Sequence, residues 1–166
     1  MVKKLAIVFV LLLCIPSYLV LSYEKASFNH EIFIKAPPAD VFPAVTDPGR
    51  LKHWVSGFKG YHSASAGQAT LLVEWDGTLH SIDQTITKWE RNRVLHLRLE
   101  ARDAFLTELK YQFVPAGGGT LLRLNQDTAR LSLAGKLFAS SRDGNTRARM
   151  EEDLKRLGEM LTAGNI

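Results

Sequence analysis

The sequence contains a single cysteine, Cys14, among its 166 residues. It therefore cannot form an internal disulfide or a cysteine-based zinc site. A strong excess of charge of one sign is also missing, because 21 basic and 17 acidic residues give a net charge of +4. Lys3 and Lys4 supply two of these charges, which leaves about +2 on the rest of the chain. This charge is too small to indicate a surface for nucleic acid, and no nucleic-acid-binding motif is present.

The motifs of common catalytic and metal sites are absent as well. The five histidines form no metal-binding motif, and the glycines at 117–119 lack the strand–glycine–helix context of a phosphate-binding loop. His80 and Asp83 are an odd number of residues apart, so on a regular strand they face opposite sides. The sequence predicts no metal and no cofactor. It identifies no catalytic residue, although acid–base groups from distant strands could still converge.

A long uncharged apolar run is present only at the N-terminus. Residues 5–23 read LAIVFVLLLCIPSYLVLSY and follow Lys3 and Lys4. About 20 apolar residues span a bilayer as a helix, and the lysines are expected to stay cytoplasmic. We therefore expect residues 1–24 to be a single-pass membrane anchor that places the body, residues 25–166, on the periplasmic or extracellular side. A cleaved signal peptide, followed by secretion of the body, is the alternative.

The body alternates between apolar and polar residues along most of its length, which is typical of antiparallel strands with one buried face. Residues 28–36 read as the first strand, and the dipeptide at 76–77, Asp-Gly, is a strong signal for a two-residue hairpin. Two short helical pieces interrupt the pattern after the first strand. Asp40 is expected to cap a helix over Val41 to Val45, with Pro43 in its first turn, whereas a start at Pro38 would place Pro43 deeper and kink the helix. A turn at 47–49 precedes the second piece, RLKHWV.

The last third of the chain changes to a helical period. One helical piece is expected around 133–138, and a longer amphipathic helix follows, with Glu151, Glu152, Lys155 and Arg156 facing away from its apolar stripe of Met150, Leu154, Leu157 and Leu161. The predicted fold class is α+β. We expect a helix-grip fold, in which a curved antiparallel sheet wraps around the long C-terminal helix and the two short helices close one end of the sheet.

The segment FIKAPPADVFPAVTDPGRLKHWV resembles the opening of the START-like (SRPBCC) superfamily, which includes polyketide cyclase/dehydrase-type proteins. The matching features are Ala36-Pro37, Val41, Thr46-Asp47-Pro48 and Trp54, and the resemblance covers about residues 28–162. It implies a helix-grip domain with a cavity for lipids, sterols, polyketides or other apolar molecules. A few members are enzymes, and one fold can host many activities.

The candidate ligand-binding residues are those that the alternation places on the inner face of the sheet and on the apolar stripe of the last helix. They are Trp75, His80, Gln84, Leu97, Leu99, Leu109, Tyr111, Phe113, Leu124, Gln126, Leu154 and Leu157. An apolar pocket with a few polar groups suits a hydrophobic ligand. The same pattern is also expected of a solid core, because alternation reports burial and not an internal space.

The sequence thus favours binding of a hydrophobic small molecule or lipid by a membrane-tethered START-like domain. A cyclase/dehydrase- or hydrolase-like enzyme that acts on an apolar ligand in the same cavity is the alternative. An interaction module with a filled cavity is a third interpretation.

Overall fold

The computed structural model describes residues 25–75, 77–102, 104–130 and 143–164. These residues form one seven-stranded antiparallel sheet in the order β1-β7-β6-β5-β4-β3-β2, two short helices and one long helix. The elements are β1 (Lys25–Ile34), α1 (Pro38–Thr46), α2 (Pro48–Trp54), β2 (Phe58–Ser65), β3 (Gln68–Trp75), β4 (Thr78–Glu90), β5 (Val94–Ala101), β6 (Phe105–Ala116), β7 (Gly119–Arg130) and α3 (Asp143–Thr162). The predicted helix-grip fold is confirmed.

Two predicted segments lie outside the described residues. They are the apolar run 5–23 and the helical piece around 133–138. Within the part of the chain that the structure describes, no helix combines the length and the apolar character needed to cross a bilayer.

The first strand pairs with the last one. Ten consecutive residue pairs join β1 to β7, from Lys25 opposite Ala129 to Ile34 opposite Thr120. Because residues opposite each other in an antiparallel pair share a face, this register places His30 beside Leu124 on the inner face. The pairing that is most distant in sequence therefore places β1 at one edge of the sheet, and β2 forms the other edge.

An irregularity in β4 changes which side chains face inward. The pairing with β5 shifts between Ile86 and Lys88, which marks Thr87 as the extra residue of a β-bulge. Trp89 consequently lies on the same face as Ile86, although simple alternation would place it on the opposite face. The bulge brings the indole of Trp89 to the inner side at one end of the sheet.

The two short helices close that end, as the sequence indicated. The ring of Phe42 on α1 lies 4.9 Å from that of Trp89 and 5.0 Å from that of Phe113, measured between centroids. The indole Nε1 of Trp54 on α2 donates to the carbonyl of Ala44, 2.9 Å away, and so joins the two helices. Phe42 is thus a wedge between this end of the sheet and the helical pair.

The predicted start of α1 is wrong by one helical turn. The helix begins at Pro38, because the backbone N–H of Val41 already donates to the carbonyl of Pro37, 3.2 Å away. Pro43 therefore lies inside the helix and not in its first turn. The predicted turn at 47–49 is instead the start of α2, because the helix begins at Pro48 and Asp47 is its N-cap, whose carboxylate accepts from the backbone N–H of Gly49 at 2.8 Å.

The long helix α3 packs its predicted apolar stripe against the sheet, and Leu154, Leu157 and Leu161 are buried. The expectation that Arg156 faces away from this stripe is wrong. Its guanidinium is half-buried, donates to the carbonyl of Trp54 at 3.2 Å and also contacts Ser56 and Asp153. The arginine thus ties α3 to the segment that follows α2.

Asp153 completes this connection from the buried side of α3. It is 5% exposed, and its Oδ1 accepts from the backbone N–H of Ser56 at 3.1 Å and from the Ser56 hydroxyl at 2.6 Å. Next to Ser56, Gly57 has φ +74°, and a Cβ there would overlap the carbonyl of Glu74 on β3. The turn after α2 is therefore fixed between α3 and the sheet.

We predict that Asp153→Ala lowers the free energy of unfolding by about 2 kcal/mol, because it leaves Ser56 and Arg156 without their shared acceptor. This value is smaller than for a fully buried pair, since Arg156 is one-third exposed. Glu152→Ala is the matched control: it removes another partner of Arg156, 3.1 Å away, that is 68% exposed, and should lower stability by less than about 0.5 kcal/mol. Urea unfolding of the full chain measures both values, and equal losses would contradict the assignment.

Candidate functional site

All twelve predicted ligand-binding residues lie on the inner face of the sheet or on the α3 stripe that meets it, but they divide into two zones. One zone is closed and its side chains are buried: Leu109, Tyr111, Phe113, Leu124, Gln126, Leu154 and Leu157. The other zone, called the open zone below, keeps its side chains only half-buried: Trp75, His80, Gln84, Leu97 and Leu99. The first zone is core, and the second is the partly accessible part of the inner face.

Strand register connects the two zones. Gln84 on β4 lies opposite Leu99 on β5, and Leu97 lies opposite Leu109 on β6. Leu109 in turn lies opposite Gln126 on β7. The predicted residues are therefore neighbours across four strands, which sequence alternation alone could not establish.

Aromatic rings border the open zone at the end of the sheet away from Phe42. The ring centroid of Trp75 lies 5.2 Å from that of His80 and 5.9 Å from that of Phe105. All three side chains are half-buried. They form a broad, mostly apolar border, in which the imidazole of His80 is the polar group.

A strip of polar side chains crosses the inner face between β6 and β7. The hydroxyls of Thr107 and Thr128 lie 3.0 Å apart, and Gln126 Nε2 donates to Thr128 Oγ1 at 3.3 Å. On the other side of the open zone, burial raises the pKa of Tyr61, and the nearby side chain of Gln84 opposes this rise. The inner face thus combines an apolar wall with a few polar groups.

His30 belongs to this face but was not among the predicted site residues. Its imidazole is buried beside α3 and lines a recess of about 250 Å³ that also includes Glu151 and Leu154. Burial lowers the pKa of His30, Glu151 at 3.9 Å from Nδ1 opposes this shift, and Arg147 adds to it. The period-2 pattern of β1 had placed His30 inward, so the signal was present, but a lone histidine is more often structural.

Tyr111 is not a base at neutral pH. Its side chain is buried, and burial, together with the charge of Asp153, raises the pKa of its phenol. Burial likewise raises the pKa of Asp153, an effect that Ser56 and Arg156 oppose. Both groups stabilise the junction between α3 and the sheet.

A second, larger recess of about 650 Å³ lies on the outside of the β1–α3 junction. It is bordered by Ile32, Phe33, Lys35, Lys155, Gly158, Glu159, Thr162 and Ala163. None of the predicted site residues lines it, whereas Leu154 lines the smaller one. The sequence contained one sign of this groove, because Phe33 is an apolar residue at an outward position of β1 and is 51% exposed.

Within the described residues, no group of three or more His, Cys, Asp or Glu side chains lies close enough together to hold a metal ion. The inner face has the composition of a binding site for an apolar molecule, with hydrogen-bonding groups at fixed positions.

Comparison with known families is consistent with this geometry. The family model for polyketide cyclase/dehydrase and lipid transport proteins matches residues 25–162. The chain belongs to this family. Both activities in the family's description require a site for an apolar molecule, so membership supports hydrophobic-ligand binding as a general property of the body. No curated protein matches the sequence.

Solved structures show the same family fold at low identity. A protein from Thermus thermophilus is 20% identical with a TM-score of 0.68, and the match covers 85% of this chain and 100% of that one. A protein from Rhizobium leguminosarum is 20% identical with a TM-score of 0.67, over 84% and 96%. A protein from Chromobacterium violaceum is 18% identical with a TM-score of 0.64, over 81% and 95%. At these identities the likeness establishes the fold alone.

We predict that His30 makes stability depend on pH. Because its folded-state pKa is lowered, the unfolded chain binds the proton more readily, so stability is highest above the ordinary pKa of about 6.5 and falls as the pH drops through it. His30→Gln should reduce the difference in unfolding free energy between about pH 8 and about pH 5. The exposed His62 provides the control variant His62→Gln, which should retain the wild-type difference. Urea unfolding at both pH values tests this, and an unchanged difference in His30→Gln would refute it.

Proposed function

We propose that the body binds a hydrophobic small molecule or lipid against the open zone of the inner face. The observation that carries this proposal is the contrast between the two zones. Leu122, Leu124 and Leu157 are fully buried in the core, while Leu97 and Leu99, on the same face, are only half-buried. Apolar side chains left partly accessible on the inside of a curved sheet provide binding energy for an apolar ligand.

The arrangement suits retention of a ligand. Phe42 and its aromatic neighbours close one end of the sheet, and Trp75 and Phe105 border the other. Gln84 lies within the apolar wall and supplies a hydrogen-bonding group that can orient a ligand. Because this surface is mostly apolar and offers few hydrogen bonds, the hydrophobic effect should supply most of the binding free energy. The affinity should therefore rise with the apolar area of the ligand.

We predict that Leu99→Arg abolishes ligand retention, because it places a charge in the middle of the open zone. The matched control is Leu79→Arg on β4, since Leu79 faces outward and is 56% exposed. The full chain is extracted from membranes and released from detergent micelles into a native mass spectrometer, and organic extracts identify the bound molecule. The wild type and Leu79→Arg should carry an apolar ligand, and Leu99→Arg should not.

Circular dichroism of each variant shows whether it is folded. If Leu99→Arg is unfolded, the milder Leu97→Asn replaces it. Absence of a bound apolar molecule from the folded wild type, both as extracted and after incubation with a fluorescent fatty-acid probe, would overturn the proposal.

The proposal extends to a membrane tether formed by residues 5–23, with the body on the non-cytoplasmic side. β1 begins at Lys25, directly after this segment, and pairs there with the end of β7. Phe105 and Trp75 lie at the same end of the sheet. Phe105, at the start of β6, pairs with Arg130 at the end of β7, and Trp75, at the end of β3, pairs with Thr78 at the start of β4. Exposed Arg147 and Arg149 near the start of α3 add positive charge. Aromatic and basic side chains are favoured at the interface of an anionic bilayer.

We predict that this end of the body faces the bilayer. In proteoliposomes that contain lipids brominated on their acyl chains, the indole of Trp75 should be quenched more strongly than that of Trp89, which lies at the opposite end beside Phe42. Trp75→Phe should therefore remove most of the quenching of the full chain, while Trp89→Phe should remove little. The reverse result would contradict the orientation, and cleavage of residues 5–23 in the mature protein would contradict the tether.

A further inference from the structure

Two buried polar atoms on the inner face have no hydrogen-bond partner in the ranges 25–75, 77–102, 104–130 and 143–164. They are Oε1 of Gln126 on β7 and Nε2 of His30 on β1. Gln126 is 6% exposed and His30 is 7% exposed, so neither side chain is solvated. Buried polar groups are paired in the great majority of cases. Gln126 lies in the core but level with Leu97 of the open zone, two strands away, so its unpaired oxygen is a candidate group for a ligand to satisfy.

The register of β1 and β7 places these two side chains near each other on one face. Gln126 lies opposite Phe28, and His30, two residues further along β1, lies opposite Leu124. Gln126 and His30 are therefore diagonal neighbours on one face, a spacing of about 7 to 8 Å between backbones that long side chains can bridge. One small polar group of a ligand can contact both side chains.

The other contacts of these side chains fix their orientation. Gln126 Nε2 donates to Thr128 Oγ1, which lies 3.0 Å from Thr107 Oγ1. The ring of His30 lies 6.5 Å from that of Phe28, between centroids, and its Nδ1 lies on the side of Glu151. Nε2 of His30 is therefore on the ring edge away from that carboxylate.

The chemistry of the two atoms restricts the ligand. An amide oxygen requires a donor, and a neutral imidazole nitrogen can donate or accept according to its tautomer. A hydroxyl does both, and it would also suit the opposite orientation of the amide, in which an N–H would be the unpaired group. A carboxylate can only accept, so it cannot satisfy the oxygen of Gln126, and its charge would be buried against an imidazole that already has the carboxylate of Glu151 at 3.9 Å from Nδ1.

We propose that Gln126 and His30 select a neutral amphiphile through a hydroxyl group, which bonds to both side chains while the apolar tail lies along the open zone. This inference rests on the proposed function and specifies the class of ligand. It predicts that a long-chain alcohol binds better than either the carboxylate or the methyl ether of the same chain length.

The test uses three probes, 1-decanol, decanoate and 1-methoxydecane, titrated calorimetrically into the full chain in lipid nanodiscs, with protein-free nanodiscs as the blank. The wild type should bind 1-decanol at least about tenfold more tightly than the ether, because the ether leaves Gln126 Oε1 unpaired. Gln126→Met preserves the size of the side chain and should reduce this preference to less than about threefold, with binding of the ether retained.

Gln112→Met is the matched control, because Gln112 lies on the exposed outer face of β6. It should keep the wild-type preference. His30→Leu should also reduce the preference, and the double variant should lose little more than either single variant, since both residues bind the same hydroxyl.

The outcomes separate this inference from the function on which it rests. If all three probes bind the wild type equally, or if decanoate binds best, the hydroxyl assignment is overturned while binding of an apolar ligand stands. If Gln126→Met keeps the preference for the alcohol, Gln126 is not the selecting residue and the assignment also fails. If none of the probes binds, the inference is overturned, while the proposed function is decided separately by whether the extracted wild type carries an apolar molecule.

Discussion

The pairing of β1 with β7 is the contact on which the rest of the structure depends. Ten residue pairs join segments that are about a hundred positions apart, such as Ser27 and Asp127, whose side chains also hydrogen-bond at 2.8 Å. Contacts so distant in sequence close a large loop, so their loss of chain entropy must be offset by the packing that they enable. Here that packing is the burial of α3 against β1 and the arrangement of Gln126 next to His30.

The inner face of the sheet performs two tasks in two places. Around Leu124 and Leu157 it is a solid core that holds α3, and around Leu97 and Leu99 it stays partly accessible. The strands are continuous through both zones, so the open-zone side chains lie on strands that are held by the packed core. A ligand would thus meet a preformed surface, which reduces the loss of conformational entropy on binding.

Local patterns in the sequence predicted the strands and helices well, but they did not predict where α1 begins or which residue follows a β-bulge. The alternation of β5 and the apolar stripe of Leu154, Leu157 and Leu161 correspond to the structure because each pattern follows from one face being buried. The start of α1 was misplaced, since Asp40 is a good cap in isolation, whereas the first turn is formed on the carbonyl of Pro37. The inward position of Trp89 depends on a bulge, and no residue pattern signals it.

The candidate site shows the same limits. Period-2 counting placed its residues on one face, but which of them are core and which are accessible depends on where α3 lies, a long-range property. Asp153 was overlooked because carboxylates on a helix usually face water, and only the structure shows it accepting from Ser56. His30 was visible as an inward residue, yet its unpaired nitrogen follows from the register with β7, which the sequence does not contain.

The wedge formed by Phe42 between Trp89 and Phe113 has a consequence for the size of what the fold can hold. Tyr111, Phe113 and Leu124 fill the inner face between the wedge and the level of Gln126. A ligand whose head lies at Gln126 could therefore extend only toward Trp75 and Phe105, and a tail longer than that stretch would project past the aromatic border.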